Sequence, residues 1–188
     1  SAVVHTIADA IARAEATLQT LLPRESRSKE CDSALLSVIG FPAFAVDDKQ
    51  VIQRTRDEIR SKLEGRYGCK RFLLDGHQSV LEDQSRIYYE HAELSGFENI
   101  ESEWPLFFTY LYISANFSGD KELAQFYRTK LEQLMVEKDG FMLLPELYYV
   151  PADCIAAEKE HPGSQERVAN DNVPLIWAQS LYTIGLLL

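Results

Sequence analysis

Apolar residues recur every three or four positions in several separate stretches of the chain, which is the spacing of amphipathic α-helices. Polar capping residues precede these stretches, and glycine or proline follows them. The pattern predicts six helices, over residues 6–22, about 33–39, about 48–64, about 101–116, about 120–136 and from about 174 onward. No alternating strand pattern of useful length accompanies them. The predicted fold class is therefore all-α.

Two long segments between the predicted helices lack this periodicity, residues 66–96 and 141–167. Loops of this length inside a compact domain are usually functional or disordered. The first contains four aromatic residues, which argues for order: Tyr67, Phe72, Tyr88 and Tyr89. The second has room for a short helix over residues 152–159. Short β segments could also form in these loops.

Charge and cysteine content exclude several classes of protein. The net charge of -10 opposes binding to a nucleic acid backbone. The longest apolar run, residues 173–188, is too short and too interrupted by polar residues to be a membrane span. Three widely spaced cysteines and four scattered histidines give neither a disulfide framework nor a ligand pattern. We expect a cytoplasmic protein with no cofactor and no metal.

The candidate functional residues are charged side chains, some of them next to aromatic residues. Glu101 and Glu103 stand beside Trp104 at the start of a predicted helix, where their alternative role is to stabilise the helix N-terminus. Arg71 and Asp75 are four residues apart in the first long loop. They could bind sugar hydroxyls together, or form an exposed ion pair of little consequence.

A further carboxylate, Glu146, is followed by Leu147 and two tyrosines in the second long loop. An apolar and aromatic environment can raise the pKa of a carboxyl group and suit it to acid–base chemistry. The alternative is an ordinary surface glutamate.

Several long motifs resemble one family. Residues 21–46 (LLPRESRSKECDSALLSVIGFPAFAV), 65–72 (GRYGCKRF) and 97–105 (FENIESEWP) are similar to the phosphorylase kinase regulatory subunits, alpha and beta, and residues 144–152 and 175–182 match as well. Those subunits carry a domain resembling the glucoamylases of glycoside hydrolase family 15. The resemblance implies an (α/α)6 barrel with its sugar site at the barrel mouth. Six helices would make about half of it, and residues 1–188 are interpreted as the C-terminal portion of one such domain, truncated at both ends.

The resemblance also suggests roles for individual residues. The run 71–77 (RFLLDGH) resembles the glucoamylase segment whose arginine and aspartate bind the sugar, which implies that role for Arg71 and Asp75. Glu101 falls near a glutamate that opens the matching helix, and Trp104 beside it joins the substrate-binding candidates. Trp177 resembles a tryptophan that follows the general base of the family. Glu146 resembles that base itself.

One departure limits the chemistry that the chain can perform alone. The general acid of the family lies in a Trp-Glu motif, and neither Trp104 nor Trp177 is followed by glutamate. We therefore expect the fragment to be inactive by itself. The longer protein would be either an inverting α-glucosidic hydrolase of malto-oligosaccharides or a non-catalytic regulatory or scaffolding subunit of a kinase-like complex in glycogen metabolism. The expected partners are an oligosaccharide or α-glucan, the rest of the polypeptide, and a second copy or a kinase-like complex.

Overall fold

The fold is mostly helical, as the sequence pattern predicts. The computed structural model describes residues 2–188 of the chain, with side chains from residue 7 onward. Within these residues the α-helices are α1 Ala2–Leu21, α2 Leu36–Ile39, α3 Lys49–Leu63, α4 Pro105–Ser118, α5 Lys121–Gln133, α6 Ile155–Glu160 and α7 Ile176–Leu187. Short 3-10 helices cover Ser33–Leu35, His91–Phe97 and Ala152–Cys154. The fraction of an (α/α)6 barrel that these helices represent stays a prediction.

Local sequence features explain where α3, α4 and α5 begin and where α4 ends. The Asp48 carboxylate accepts hydrogen bonds from two backbone N–H groups in the first turn of α3, and the Asp120 carboxylate accepts one in α5. Pro105 occupies the first turn of α4, where its missing N–H costs nothing. Gly119, with φ of 74°, ends α4 in the left-handed conformation that glycine adopts without strain.

Helix α4 forms the centre of the core. Ten of its fourteen residues are buried, so it is apolar on nearly every face. It packs against α2, α5 and α7. The segment directly before α4 contacts both long loops, through the bridges from Trp104 to Cys69 and from Glu103 to Tyr148.

The prediction that the fifth helix continues to residue 136 is wrong. Helix α5 ends at Gln133, and an antiparallel hairpin follows, with β1 Val136–Lys138 paired to β2 Phe141–Leu143. Asp139 and Gly140 form its two-residue turn, and both have positive φ, 54° and 82°. This geometry is the one that an Asp-Gly pair favours in a tight hairpin.

A second small sheet forms at the second long loop, where the sequence left room for short β segments, and the fold is therefore mostly and not purely helical. Strand β3, Tyr148–Tyr149, pairs antiparallel with β4, Val168–Ala169. Tyr148 also bridges to Glu103 on its other side. The second long loop is thereby tied to the segment before α4, and Cys69 of the first long loop bridges to Trp104 of the same segment.

Several large apolar side chains remain exposed. They include Ile7 and Ile11 on α1 and Ile176, Trp177 and Leu187 on α7. Across the described residues, no helix combines the length and apolar character needed to cross a membrane.

Candidate functional site

A cleft of about 430 Å³ opens between the first long loop, the start of α4 and the start of α7. Its lining combines aromatic and charged side chains, notably Lys29, Asp32, Arg71, Phe72, Trp104, Phe107, Tyr110, Glu146 and Trp177. The structure thus brings together four of the six residues singled out from the sequence. Asp75 lies directly behind this lining, and Glu101 does not reach it.

Arg71 is held by Asp75 in a two-point contact. Its Nε donates to Asp75 Oδ2 at 2.6 Å and its Nη2 donates to Oδ1 at 2.8 Å. Burial disfavours the charged guanidinium, but the hydrogen bonds and charge of Asp75 outweigh that penalty and raise the pKa of Arg71. The pair is therefore a fixed, charge-assisted element and not the loose surface ion pair that was its alternative.

Trp104 forms the floor beneath this pair. The Arg71 guanidinium carbon lies 5.4 Å from the Trp104 ring centroid, and the His77 ring stacks near the same indole at 6.1 Å. Backbone hydrogen bonds with Cys69, in both directions, fix Trp104 against the first long loop. Gly68 lies so close to the Trp104 backbone that a Cβ atom there would overlap it. The indole is thus positioned by its main chain as well as by its neighbours.

Further aromatic rings extend the cleft wall. Tyr110 and Trp177 meet edge to face with ring centroids 6.3 Å apart, and Trp177 is 56% exposed. Phe72 lies on the other side, with the Lys29 ammonium nitrogen 4.0 Å from its ring centroid. Lys29 also pairs with Asp32 at 3.3 Å. The cleft wall therefore combines aromatic rings with Lys29 and Asp32, which hold each other in a fixed orientation.

Glu146 enters the cleft from the segment between β2 and β3. Its Oε2 accepts hydrogen bonds from Asn170 Nδ2 at 2.8 Å and from Gln78 Nε2 at 3.1 Å. Its backbone N–H donates to the Asn172 carbonyl. No sequence pattern marks Gln78 or Asn170 for this role, because the amides are far from Glu146 in the chain and local spacing cannot reveal their contact.

Glu101 has a different position from the one a sugar contact requires. Its side chain is 1% exposed. Its Oε1 accepts the Leu74 N–H at 2.9 Å, and its Oε2 lies 2.7 Å from the Lys70 ammonium. The carboxylate holds the first long loop from beneath the cleft.

Glu103 is also buried and belongs to a charged cluster below the site. Burial raises the pKa of Glu103, and the positive charge of Arg167, 3.2 Å away, offsets only part of this rise. The Tyr67 N–H donates to the same carboxylate at 2.7 Å. Arg167 contacts Glu158 as well, at 3.4 Å, and all three charged side chains are at most 6% exposed. This cluster joins the two long loops, and it explains Glu103 better than a helix-capping role does.

The cleft is lined mainly by aromatic and charged side chains. Among the described side chains, no cluster of three or more potential metal ligands occurs. The three cysteines carry free thiols. Aromatic faces next to fixed hydrogen-bonding groups are instead the usual lining of a small-molecule cleft.

Comparison with known proteins defines the class to which the chain belongs. The model of glycosyl hydrolases family 15 matches residues 3–187, so the chain belongs to this family. The individual relatives are more specific. The chain is 52% identical to the probable phosphorylase b kinase regulatory subunit alpha of Drosophila melanogaster over 100% of its length. It is 50% identical to the skeletal muscle isoform of that subunit from Oryctolagus cuniculus and 48% identical to the liver isoform from Mus musculus, each over 99% of the chain. The chain spans 15% of the length of each of these relatives.

Proposed function

We propose that this chain supplies part of an α-glucan-binding cleft in a cytoplasmic regulatory subunit of a phosphorylase-kinase-type complex. The observation that carries the proposal is the cleft itself, in which Arg71, fixed by Asp75, lies over Trp104. A sugar ring can pack on an aromatic face while its hydroxyl groups bond to preset charged groups. The regulatory role rests on the names of relatives that share about half of the sequence.

The proposed partners follow from the same relatives and from the surface. A subunit of this kind would contact the rest of its own polypeptide and a kinase-like complex. The exposed apolar residues of α1 and α7, such as Ile11 and Leu187, would serve in these contacts or in contact with a second copy. Static light scattering on the chain distinguishes self-association from a monomer.

A second candidate function is hydrolysis of an α-glucosidic bond by the longer protein, with inversion. The specific observation in its favour is Glu146, which lines the cleft with one carboxylate oxygen held by amide donors. Such an oriented carboxylate could activate water as a general base. Inversion also needs a carboxylic acid on the other side of the bond. The other carboxylate of the cleft lining, Asp32, is engaged by Lys29 and by the Ala34 N–H. In the described part of the chain, this arrangement favours binding over turnover.

The two tryptophans make a direct binding test possible. The protein contains only Trp104 and Trp177, and both line the cleft. We expect maltoheptaose to change the intrinsic fluorescence in a saturable way, and the β-linked cellohexaose to change it little. A Trp177→Phe variant isolates the signal of Trp104. Absence of any saturable change, confirmed by titration calorimetry, would contradict the binding proposal.

A pair of arginine variants tests whether the cleft is the site. Arg71→Ala should weaken maltoheptaose binding about tenfold or more, the loss expected for a hydrogen bond to a charged group. Arg86→Ala is the matched control, because Arg86 also makes a two-point contact, with Glu93, but lies outside the cleft. Equal effects of the two substitutions would contradict the placement of the site.

Glucose release from maltoheptaose by the full-length protein separates the two candidate functions. Release that disappears in a Glu146→Gln variant, and persists in Glu122→Gln on the exposed face of α5, would establish the hydrolase. Binding without release would support the regulatory subunit and remove Glu146 from a catalytic role.

A further inference from the structure

Three segments that are distant in sequence meet at a single carboxylate oxygen. Gln78 comes from the first long loop, Glu146 from the connection after β2, and Asn170 from the residue after β4. Asn170 Nδ2 donates both to Glu146 Oε2 at 2.8 Å and to Gln78 Oε1 at 3.0 Å. Gln78 Nε2 completes the ring with its bond to the same Glu146 oxygen at 3.1 Å. The three side chains therefore form a closed hydrogen-bonded set.

The backbone of Gln78 is fixed independently of this set. Its N–H donates to Glu82 Oε2 at 2.8 Å, and its carbonyl accepts from Ser102 Oγ at 3.3 Å. Its φ is 54°, in the left-handed region that non-glycine residues adopt infrequently. A residue held in such a conformation by its surroundings is often one whose side-chain direction matters.

Asn170 is fixed just as firmly, through Leu147. The Asn170 N–H donates to the Leu147 carbonyl at 3.0 Å, and Asn170 Oδ1 accepts the Leu147 N–H at 3.4 Å. With its oxygen occupied in this way, the side-chain amide of Asn170 presents its NH₂ group to Glu146. Leu147, which follows Glu146 in the chain, thus sets the direction in which the Asn170 NH₂ group points.

We infer that Gln78 and Asn170 are positioning residues, which hold Oε2 of Glu146 so that its Oε1 is presented to a glucan hydroxyl or to water in the cleft. This inference rests on the proposed function of the cleft, but the hydrogen-bonded set can be tested without a ligand. Among the described residues, Oε1 has no hydrogen-bond partner, whereas Oε2 has two. Glu146 would then contact the ligand with one defined oxygen, and a change at Gln78 or Asn170 would act through Glu146.

The variant of choice is Asn170→Asp. It keeps an acceptor for the Leu147 N–H but replaces the donor to Glu146 by a second carboxylate oxygen. Asn116→Asp is the matched control, since Asn116 Nδ2 donates to the Gly185 carbonyl outside the cleft. Gln78→Met removes the second donor at similar length. Thermal unfolding of each variant shows whether it still folds.

The test is a double-mutant cycle on maltoheptaose affinity, measured by calorimetry. We expect Asn170→Asp and Glu146→Gln each to weaken binding about tenfold. The double variant should be no weaker than the single ones, since residues that act as one unit are not additive. Gln78→Met should behave like Asn170→Asp, and Asn116→Asp should bind as the wild type does. Losses that multiply in the double variant, or unchanged affinity in Asn170→Asp, would overturn the inference and leave glucan binding standing.

A ligand-free readout decides the case in which the wild type does not bind glucan. The side-chain NH₂ signals of Asn170 and Gln78 in a ¹⁵N–¹H correlation spectrum should move on Glu146→Gln and stay in place on Glu122→Gln. If glucan does not bind but these signals move, the proposed function fails and the hydrogen-bonded set stands. If the signals do not move, the positioning inference fails, whatever the ligand does.

Discussion

Replacing Arg167 by methionine should destabilise the protein strongly, because Arg167 compensates two buried carboxylates. Its guanidinium lies 3.2 Å from Glu103 and 3.4 Å from Glu158, and its own side chain is 3% exposed. Methionine fills similar volume but leaves both acids without their cation. Removing one partner from a buried charge cluster costs about 3–5 kcal/mol. For a protein of this size that corresponds to a fall in the melting temperature of roughly 6–20 °C.

The penalty should also depend on pH. Burial raises the pKa of Glu103 above its ordinary value of 4.5, and Arg167 limits the rise. At pH values between 4.5 and the raised pKa, Glu103 is protonated more fully in the folded protein than in the unfolded chain. The contribution of Glu103 to the free energy of unfolding is therefore lost as the pH rises through this range. Removing Arg167 raises the pKa of Glu103 further and widens the range. The loss of stability in Arg167→Met should therefore be smaller at about pH 5 than at about pH 7.

Urea unfolding at the two pH values, followed by circular dichroism, measures both effects. Arg128→Met is the control, because Arg128 forms an exposed pair with Glu132 on α5 and its loss should change stability little at either pH. A loss in Arg167→Met below about 1 kcal/mol, or one that is equal at both pH values, would refute the reasoning about a compensated buried cluster.

Two further predictions concern close packing and thiol reactivity. Gly65→Ala should destabilise the fold by about 2–4 kcal/mol in urea unfolding, because its Cβ would overlap the buried Glu103 carboxyl group, whereas Gly96→Ala, with open space around it, should be nearly neutral. If both variants unfold at the same urea concentration, the contact at Gly65 is not tight. In titration with a disulfide reagent at about pH 8, Cys154 should react first, because it is partly exposed whereas Cys31 and Cys69 are buried. Burial also raises the pKa of Cys31 to about 11 and raises that of Cys69, which keeps both in the unreactive thiol form. Three equally fast thiols in the folded protein would contradict this expectation.

The helical part of the fold was predictable because its signals are local. The Asp48 and Asp120 caps act within a few residues, and α3 and α5 begin directly after them. The prediction that the fourth helix begins at about residue 101 is wrong, because α4 begins at Pro105, which occupies its first turn. The β1–β2 hairpin was missed although Asp139 and Gly140 carry a hairpin signal. The apolar spacing before them suited a helix equally well, and only the two positive φ values separate a hairpin turn from a helix end.

The site was predictable only in part, and for a different reason. The resemblance indicated the residues that line the cleft, such as Arg71 and Glu146, but did not indicate what lies beneath or beside them. Glu101 and Trp104 are three residues apart, yet one is buried against Lys70 and the other forms the floor of the cleft. The Glu103–Arg167 contact joins the segment before α4 to the second long loop. Interactions at such separations follow from tertiary packing, which no local pattern encodes.

The assembly of the cleft from distant segments has a consequence for folding. Lys29, Arg71, Trp104, Glu146 and Trp177 line one cleft, and Trp177 lies in α7. The site is therefore incomplete until α7 has packed against α4. Contacts between residues so far apart in sequence slow folding. A ligand that requires the whole cleft would bind only the form in which these segments have packed together, and would stabilise that form against unfolding.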